Sequence, residues 1–311
     1  MSEPFTLAHI TDLHLGPVPL AGPRHWNLKR ALGVANWLRK RQFLHQRSAF
    51  EHILAAVHAA KPDHIAVTGD LCNVGLPQEH ARALDTLRQI GPPGTVSVVP
   101  GNHDIYCRLR NDPGVARWQA YHAPDEPAAA LFPYLRQRGA VALIGVNSAV
   151  PTPPGIAQGE VGASQLQALA ALLTKAGAMN QFRVVMIHHP PLTGQAPPAR
   201  MLRDSAPLTE CLTRAGVELV IHGHNHLDEY NEIETRAGRA LVIGAGSASM
   251  ARSRGHEPAA RAALYAIRRM PAGWSVALTR LGYAGEGKPV AVVERREVQL
   301  ARAAVPGGRN A

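Results

Sequence analysis

Short apolar runs alternate with longer amphipathic segments along most of the chain. The apolar runs are rich in Val and Ile and are bounded by Gly, Pro, Asp or Asn, a pattern that predicts β-strands. The predicted strands are Phe5–Thr11, His64–Thr68, Thr95–Val99, Ala142–Asn147, Arg183–Ile187 and Val217–Ile221. The segments between them predict helices over Ser48–Ala60, Pro77–Ile90, Ser164–Ala176 and Ser205–Ala215. Strands that alternate with helices indicate an α/β fold with a largely parallel sheet.

Further residues predict where the helices begin and end, and the last part of the chain predicts more strands. Ser164 and Ser205 stand where N-caps belong, and glycines at 91, 177 and 216 stand where helices end. Four further apolar runs predict strands that could form a second sheet packed on the first. These are Ala240–Ser247, Ala262–Arg268, Trp274–Arg280 and Val290–Arg295.

Length and composition indicate one globular domain. The chain has 311 residues, of which 46% are hydrophobic and 18% charged, so it can bury a substantial core. We predict a single domain over residues 1–300, with a basic insertion at 17–47 that forms a cap or lid. The last residues, 301–311, contain Pro-Gly-Gly and little apolar content, so we predict a flexible tail there.

Three features of the sequence predict a cytoplasmic protein. No apolar run approaches the ~18 residues of a membrane-spanning helix. The first residues, MSEPFTLAHITD, lack the basic and apolar regions of a secretory signal. The three cysteines are odd in number and unevenly spaced, which favours a reducing compartment over a disulfide framework.

The charge of the chain favours anionic partners. Lys and Arg number 33 against 23 Asp and Glu, which gives a net charge of +10. Such an excess suits phosphorylated small molecules, nucleic acid or an acidic membrane. The imbalance is concentrated between Asp12 and Glu51, where no acidic residue occurs. The basic residues in that stretch are Arg24, Lys29, Arg30, Arg39, Lys40, Arg41 and Arg47.

Side chains that can bind metal follow five of the predicted strands. The segments are Thr-Asp-Leu-His at 11–14, Gly-Asp at 69–70, Gly-Asn-His-Asp at 101–104, His-His-Pro at 188–190 and Gly-His-Asn-His at 223–226. In an α/β sheet, the carboxyl ends of the strands form the crevice where ligands bind, so these segments should meet. Imidazole together with carboxylate favours transition metals over Ca²⁺. Asp70 is the natural bridge between two cations, which lie ~3.5–4 Å apart in dinuclear sites.

In that order, DLH, GD, GNHD, HH and GHNH resemble the five signature segments of the calcineurin-like metallophosphoesterase superfamily, from residue 5 to about 230. The resemblance implies an α/β fold that is a four-layer αββα sandwich of two mixed sheets flanked by helices. It also implies a hydrolase of phosphoric esters that uses two divalent metal ions, Mn, Fe or Zn. One metal would be held by Asp12, His14, Asp70 and His226, and the other by Asp70, Asn102, His188 and His224. His103 would be catalytic alongside Asp70, because it matches the family's histidine that stabilises the transition state or protonates the leaving oxygen.

The finer resemblance concerns the substrate. GDLCN and HHPP resemble the cyclic-nucleotide and glycerophosphodiester phosphodiesterases, which implies hydrolysis of phosphodiesters by a metal-bound hydroxide. The GDxxD–GNHE pattern of protein phosphatases is absent, since Asp104 replaces the Glu. Two alternatives are a pyrophosphatase acting on a UDP-diacylglucosamine-type lipid and a scaffold with a vestigial metal site. The scaffold is disfavoured because all seven ligand positions are filled.

Other residues near these segments have plainer interpretations. His222 should point away from the metals, His189 is an alternative to His188, and Asp104 should form a turn or support a ligand. Gly69, Gly101 and Gly223 each precede a ligand and would permit a sharp turn with positive φ. Ordinary structural roles are expected for the histidines at positions 9, 45, 52, 58, 80 and 122.

The insertion at 17–47 should lie beside the site, because it directly follows the first ligand pair. With a helical period, Trp26 and Trp37 share a face, and Leu28, Leu32, Ala35 and Leu38 form an adjoining stripe. One interpretation is a cap that packs the stripe on the domain and directs its cations to solvent or to an anionic phosphoester substrate. The other is peripheral contact of residues 24–47 with the inner face of an anionic membrane. The composition is also similar to that of the lipid A pathway phosphoesterases, and nucleic acid is the least favoured partner.

Overall fold

The computed structural model of the protein describes residues 3–109, 112–127 and 130–301. Apart from Ala301, the tail predicted at 301–311 lies outside the described residues. The helices are α1 (Leu28–Asn36), α2 (Gln42–Leu44), α3 (Arg47–Ala59), α4 (Pro77–Ile90), α5 (Gln119–His122), α6 (Ala163–Ala178) and α7 (Ser205–Ala215). Within the described ranges, no helix combines the length and the hydropathy needed to cross a bilayer.

Two six-stranded sheets stand at the centre of the fold. The first has the order β12-β11-β10-β1-β2-β3 and the second the order β4-β5-β6-β7-β9-β8. The strands of the first sheet are β1 (Phe5–Ile10), β2 (His64–Val67), β3 (Val96–Val98), β10 (Arg261–Met270), β11 (Gly273–Gly282) and β12 (Ala291–Ala301). Those of the second sheet are β4 (Tyr134–Arg138), β5 (Val141–Gly145), β6 (Phe182–Met186), β7 (Leu219–His222), β8 (Glu229–Thr235) and β9 (Gly238–Gly244).

The predicted four-layer sandwich of two mixed sheets is confirmed. Each sheet contains a block of parallel strands, β1-β2-β3 in the first and β5-β6-β7-β9 in the second, and antiparallel strands complete it. One apolar cluster fills the space between the sheets, a second packs the first sheet on α3 and α4, and a third packs the second sheet on α6 and α7. The central strands are therefore buried on both faces, which explains their continuous apolar sequences.

The single parallel sheet expected from the alternating pattern is instead divided between the two sheets. The expectation that the last strands form a sheet of their own is also wrong. β9 joins the second sheet, whereas β10 pairs antiparallel with β1 and extends the first. The ten-residue strand β10 supplies the backbone partners that β1 would otherwise lack on that side, and β11 does the same for β10.

Sequence reasoning missed β4 and β8, the two edge strands of the second sheet. Their sequences, YLRQR and EYNEIET, contain no continuous apolar run. An edge strand has a neighbour on one side only, and charged side chains there discourage pairing with other molecules. The apolar signal that reveals a central strand is therefore weak at both positions.

The predicted bounds of α4 and α7 are confirmed. The N-caps predicted for α6 and α7 are wrong. α6 and α7 begin after Gly162 and Asp204, not after Ser164 and Ser205. The Asp204 carboxylate accepts a hydrogen bond of 2.7 Å from the Gly162 N–H and thereby stabilises the start of α6. The predicted stop at Gly177 is also wrong, since α6 continues to Ala178.

The predicted shared face of the two tryptophans does not form. α1 begins at Leu28 with Asn27 as its N-cap, so Trp26 precedes the helix, and a π turn begins at Trp37. The side of α1 that carries Gly33 faces the domain, because a Cβ at Gly33 would lie 2.7 Å from Tyr106 Oη and from a Val74 methyl. The leucine stripe therefore faces solvent, contrary to the cap interpretation in which it packs on the domain.

Arg136 on β4, an edge strand of the second sheet, forms hydrogen bonds with β3, an edge strand of the first sheet, and with its neighbouring segments. Its side chain is buried, at 3% exposure, and it donates to backbone carbonyls of β3 and of the segments before and after β3. The acceptors are Pro93 (2.7 Å), Val96 (2.7 Å), Ala120 (2.7 Å) and Ala123 (2.8 Å).

We predict that Arg136→Leu lowers the free energy of unfolding by roughly 3 kcal/mol or more, because it leaves buried carbonyls without donors. Urea denaturation of the two proteins measures this loss. Arg138→Leu is the matched control, since Arg138 is less buried than Arg136 and its pair with Asp125 is partly exposed to solvent, so that its loss should cost about 1 kcal/mol. Equal destabilisation by the two changes would contradict the role given to Arg136.

Candidate metal centre

The seven predicted ligands lie on five loops at one edge of the sandwich. The loops follow β1, β2, β3, β6 and β7, and the ligand-bearing segments pair through backbone hydrogen bonds. For example, Asp12 N donates to Gly69 O at 3.0 Å, and His14 N donates to Asp70 O at 2.9 Å. Neighbouring strands therefore bring residues distant in sequence into contact.

Asp12, His14 and His226 form a first group. The Nε2 atoms of the two histidines are 3.4 Å apart. Asp12 Oδ1 lies 3.2 Å from His226 Nε2 and 3.8 Å from His14 Nε2. Asp12 Oδ1 is buried and has no hydrogen-bond donor among the described residues.

Asn102, His188 and His224 form a second group. His188 Nε2 lies 3.1 Å from Asn102 Oδ1 and 3.2 Å from His224 Nδ1. All three side chains are buried.

Asp70 lies between the two groups. Its Oδ2 atom is 3.6 Å from His14 Nε2 and 3.5 Å from His188 Nε2. Its Oδ1 atom accepts a hydrogen bond of 2.7 Å from the backbone N–H of His103, which fixes the orientation of the carboxylate. One oxygen of Asp70 therefore faces both groups.

The tautomers of three of these histidines follow from their outer contacts. In each, one ring nitrogen faces a backbone carbonyl and the other faces the cluster. The acceptors are Cys72 O for His14 (3.1 Å), Thr68 O for His188 (2.7 Å) and Arg200 O for His224 (2.9 Å). Because a carbonyl only accepts, the outer nitrogen carries a hydrogen, and the inner nitrogen would present its lone pair to a bound cation.

The donor set fits divalent cations. Ring nitrogens and side-chain oxygens face one another across the cluster at 3.1–3.8 Å. Two ligands of one tetrahedral cation, each ~2.1 Å from it, are separated by about 3.4 Å. Groups of His with Asp that can hold a metal ion occur around both His14 and His188.

The electrostatics of the cluster favour bound positive charge. Burial lowers the pKa of His188, but the Asp70 carboxylate outweighs this effect and raises it to about 9. Burial likewise acts against the charged form of His226, and Asp12 raises its pKa to about 9. Burial works against ionisation of Asp70, yet the nearby histidines hold its pKa well below the usual range.

The backbone is strained at most of the predicted ligands. Five of the seven non-glycine residues with positive φ in the described chain belong to the predicted set. They are Asp12 (53°), His14 (44°), Asp70 (56°), His224 (70°) and His226 (57°). Left-handed backbone costs such residues on the order of 1 kcal/mol or more and persists only where surrounding structure enforces it. Strain concentrated here is typical of a functional site.

The three glycines before the ligands act in two different ways. Gly69 has φ of 92°, as the turn interpretation predicted. Gly101 and Gly223 do not have positive φ, so the interpretation is wrong for them. Instead they make room: a Cβ on Gly101 would overlap Asp70 Oδ1, and one on Gly223 would overlap Asp12 Oδ2.

His103 lies beside the cluster and contacts the cap. Its Nδ1 atom lies close to Asn73 O, and its Nε2 atom accepts a hydrogen bond of 2.8 Å from Arg41 Nη2. Burial and the Arg41 guanidinium lower the pKa of His103 to about 3. The imidazole is therefore neutral while Arg41 is its neighbour.

The alternative residues lie next to the two groups but are held by other contacts. Both nitrogens of His189 are engaged, with Ser148 Oγ at 2.8 Å and Ala157 O at 3.2 Å, which favours His188 as the candidate ligand. His222 lies next to Glu229, at 3.5 Å. Asp104 accepts hydrogen bonds from three backbone N–H groups, those of Asp70, Cys72 and Gly101, and so supports the turns that carry Asp70 and Asn102.

Sequence reasoning missed several residues around the site. A cavity of about 430 Å³ opens over the cluster, and its wall includes the cations Lys40, Arg41, Arg200 and Arg254. The acid-free stretch was a signal for Lys40 and Arg41, but no motif marks Arg200 or Arg254. His45, expected to have an ordinary structural role, also lines the cavity, with its ring centroid 4.7 Å from that of His14.

A sandwich of two mixed sheets with His, Asp and Asn clustered at the strand ends defines a metallophosphoesterase-type protein. The chain belongs to the calcineurin-like phosphoesterase family, whose sequence model matches residues 5–228. The resemblance expected from the five motifs is thereby confirmed.

The individual relatives share only low sequence identity with this chain. A probable cyclic nucleotide phosphodiesterase of Synechococcus sp. (strain WH7803) is 29% identical over 187 residues, which are 58% of this chain and 65% of that protein. The chain thus matches slightly less than two thirds of that relative's length. A dimetal phosphatase from Danio rerio has a TM-score of 0.60 at 16% identity, with 96% of this chain and 100% of that chain covered. Purple acid phosphatase PPD1 from yellow lupin has a TM-score of 0.58 at 12% identity, with 96% and 54% covered. These two likenesses show the fold.

We predict that Gly101→Ala weakens metal binding by roughly 10–100-fold, the usual effect of disturbing the support of a ligand. The added methyl group would displace the Asp70 carboxylate. Titration with Mn²⁺ or Zn²⁺, followed by metal analysis, measures the affinity. Gly94→Ala is the matched control, because no atom lies within 4 Å of a Cβ at that position. Wild-type affinity in Gly101→Ala would show that the close approach to Asp70 does not matter.

Proposed function

We propose that this chain is a dinuclear-metal phosphoesterase that hydrolyses phosphodiesters. Asp70 would bridge the cations, and the observation that carries the proposal is the position of its Oδ2, 3.6 Å from His14 Nε2 and 3.5 Å from His188 Nε2. Asp12, His14 and His226 would complete one site, and Asn102, His188 and His224 the other. The mixed nitrogen and oxygen donors suit Mn, Fe or Zn.

Two divalent cations in such a site polarise phosphoryl oxygens and lower the pKa of water. The protein's own residues would position the ester and manage the leaving group. Arg41 reaches the cavity from the cap and would donate hydrogen bonds to a phosphoryl oxygen. The negative charge of a bound substrate would offset the effect of Arg41 on His103 and raise the pKa of that histidine. His103 would then hold a proton on Nε2, within reach of the leaving oxygen.

Two observations support a diester substrate. The Synechococcus relative is named as a probable cyclic nucleotide phosphodiesterase. In this chain, the segments GDLCN and HHPP resemble phosphodiesterases, and Asp104 occupies the position of the Glu in protein phosphatases.

A second candidate function is the hydrolysis of a pyrophosphate-linked substrate, such as a nucleotide-linked lipid. It is favoured by the cationic side chains that line the cavity beyond the metal cluster, which are Lys29, Lys40, Arg41, Arg200 and Arg254. A cyclic nucleotide carries one negative charge, which the two cations would already balance. A further phosphate would give the additional cations a partner.

A substrate screen tests the proposed function. Metal-reconstituted protein should hydrolyse bis-p-nitrophenyl phosphate with a higher kcat/KM than p-nitrophenyl phosphate, and cyclic nucleotides and UDP-linked lipids should be assayed beside them. Asp70→Asn should nearly abolish turnover, because it removes the bridging charge. An inactive reconstituted wild type, or a clear preference for the monoester, would refute phosphodiester hydrolysis.

We predict that His103→Ala lowers kcat by roughly 10²–10⁴-fold and leaves the metal content unchanged, since positioned proton donors and charge-stabilising groups contribute about that much. Steady-state kinetics and metal analysis on the same preparation measure both effects. His52→Ala on α3, outside the site, should leave both at the wild-type level. Loss of metal from His103→Ala would assign His103 to the ligands instead.

Arg41→Gln separates the two candidate substrates. If the substrate carries a second phosphate, KM for a nucleoside-diphosphate-linked substrate should rise roughly tenfold or more, since hydrogen bonds between charged groups are worth ~1.5–3 kcal/mol. KM for bis-p-nitrophenyl phosphate should rise less. Arg47→Gln, an exposed change in the same segment, should leave both values unchanged. Equal effects of Arg41→Gln on both substrates would argue against a second phosphate.

A further inference from the structure

The first helix of the cap has its polar and apolar sides reversed relative to an ordinary surface helix. On the inner side, Lys29 Nζ donates to Tyr106 O at 3.0 Å, and Arg30 donates to Val74 O and Gly75 O at 3.1 and 2.8 Å. On the outer side are Leu28 and Leu32, followed by Leu38 in the π turn, with exposures of 68%, 53% and 52%. A helix that only closed the site would be expected to bury these leucines.

The exposed apolar side chains are concentrated in this one segment. Of the eleven large apolar side chains that are exposed in the described chain, six lie between Leu20 and Phe43. We call these six the cap face: Leu20, Trp26, Leu28, Leu32, Leu38 and Phe43. A concentration of exposed apolar residues on one segment marks a surface that contacts a partner or a membrane.

The charge around the cap face narrows the choice of partner. No acidic residue lies between Asp12 and Glu51, while four cations of the segment are exposed: Arg24, Arg39, Lys40 and Arg47. Within the described ranges, none of the four forms an ion pair with a carboxylate. A second copy of the chain would bring two such basic faces together, and their repulsion would oppose a symmetric dimer.

We propose that the cap face docks on an anionic lipid bilayer. The apolar side chains would enter the boundary between headgroups and acyl chains, and the surrounding cations would bind lipid phosphates. Lys29 and Arg30 are engaged by backbone carbonyls of the domain, so they hold the helix in place with its leucines outward.

Docking would also orient the cavity. Lys40 and Arg41 line the cavity and belong to the same segment as the cap face, so the bilayer would lie beside its entrance. This consequence rests on the proposed function, whereas the docking itself depends on residues outside the metal cluster.

Vesicle sedimentation tests the docking. At low salt, the full-length protein should sediment with vesicles of phosphatidylcholine and phosphatidylglycerol, and much less with phosphatidylcholine alone. The double variant Leu28→Ser, Leu32→Ser should bind the anionic vesicles at least about tenfold more weakly, because burial of apolar side chains contributes to such binding. Arg39→Gln combined with Arg47→Gln should also weaken binding and reduce its salt dependence.

The matched control is the double variant Val292→Ser, Val293→Ser on β12, where the two valines are 46% and 49% exposed. It should bind vesicles as the wild type does, and Asp70→Asn should too, so that failure of the metal site and failure of docking are distinguishable. Circular dichroism checks that each variant is folded. The proposal is overturned if wild type stays in the supernatant, if the β12 control loses binding equally, or if the cap variant only dissociates a dimer.

Discussion

The carboxylate of Asp70, shared between two groups of histidines, is the interaction on which the arrangement of the site depends. One oxygen accepts the His103 N–H at 2.7 Å, which leaves the other oxygen facing His14 and His188. The loop itself is supported from behind, because Asp70 N donates to the Asp104 carboxylate at 2.8 Å. The absence of a side chain at Gly101 is what allows this close approach. A carboxylate that would attract a cation on either side is therefore fixed by contacts with the loop that follows β3.

The rest of the fold provides the rigidity that this arrangement needs. Positive φ at five of the predicted ligands is unfavourable for the isolated loops, so it has to be offset by packing elsewhere. Central strands buried on both faces provide that packing, and the loops begin directly where those strands end. The carbonyl contacts of His14, His188 and His224 add a second constraint, since they orient the rings as well as fixing the tautomers.

The parts of the structure that could be predicted from the sequence are those with strong local signals. Fully buried strands such as Val96–Val98 and Phe182–Met186 have mainly apolar sequences, and the motif residues follow them within a few positions. The edge strands β4 and β8 gave no such signal, and the pairing of β10 with β1 depends on contacts distant in sequence. Periodicity revealed the leucine stripe of α1 but not its direction. The side that faces solvent is decided by the backbone carbonyls that bind Lys29 and Arg30. Arg200 could not be predicted as a cavity residue either, because it lies on a loop that carries no motif.

The most direct test of the central claim is the anomalous scattering of crystals grown with Mn²⁺. We expect two anomalous peaks ~3.5–4 Å apart with Asp70 Oδ2 between them. One peak should lie beside His14 and His226, and the other beside His188 and His224. A single peak, or two peaks of which neither contacts Asp70, would contradict the account.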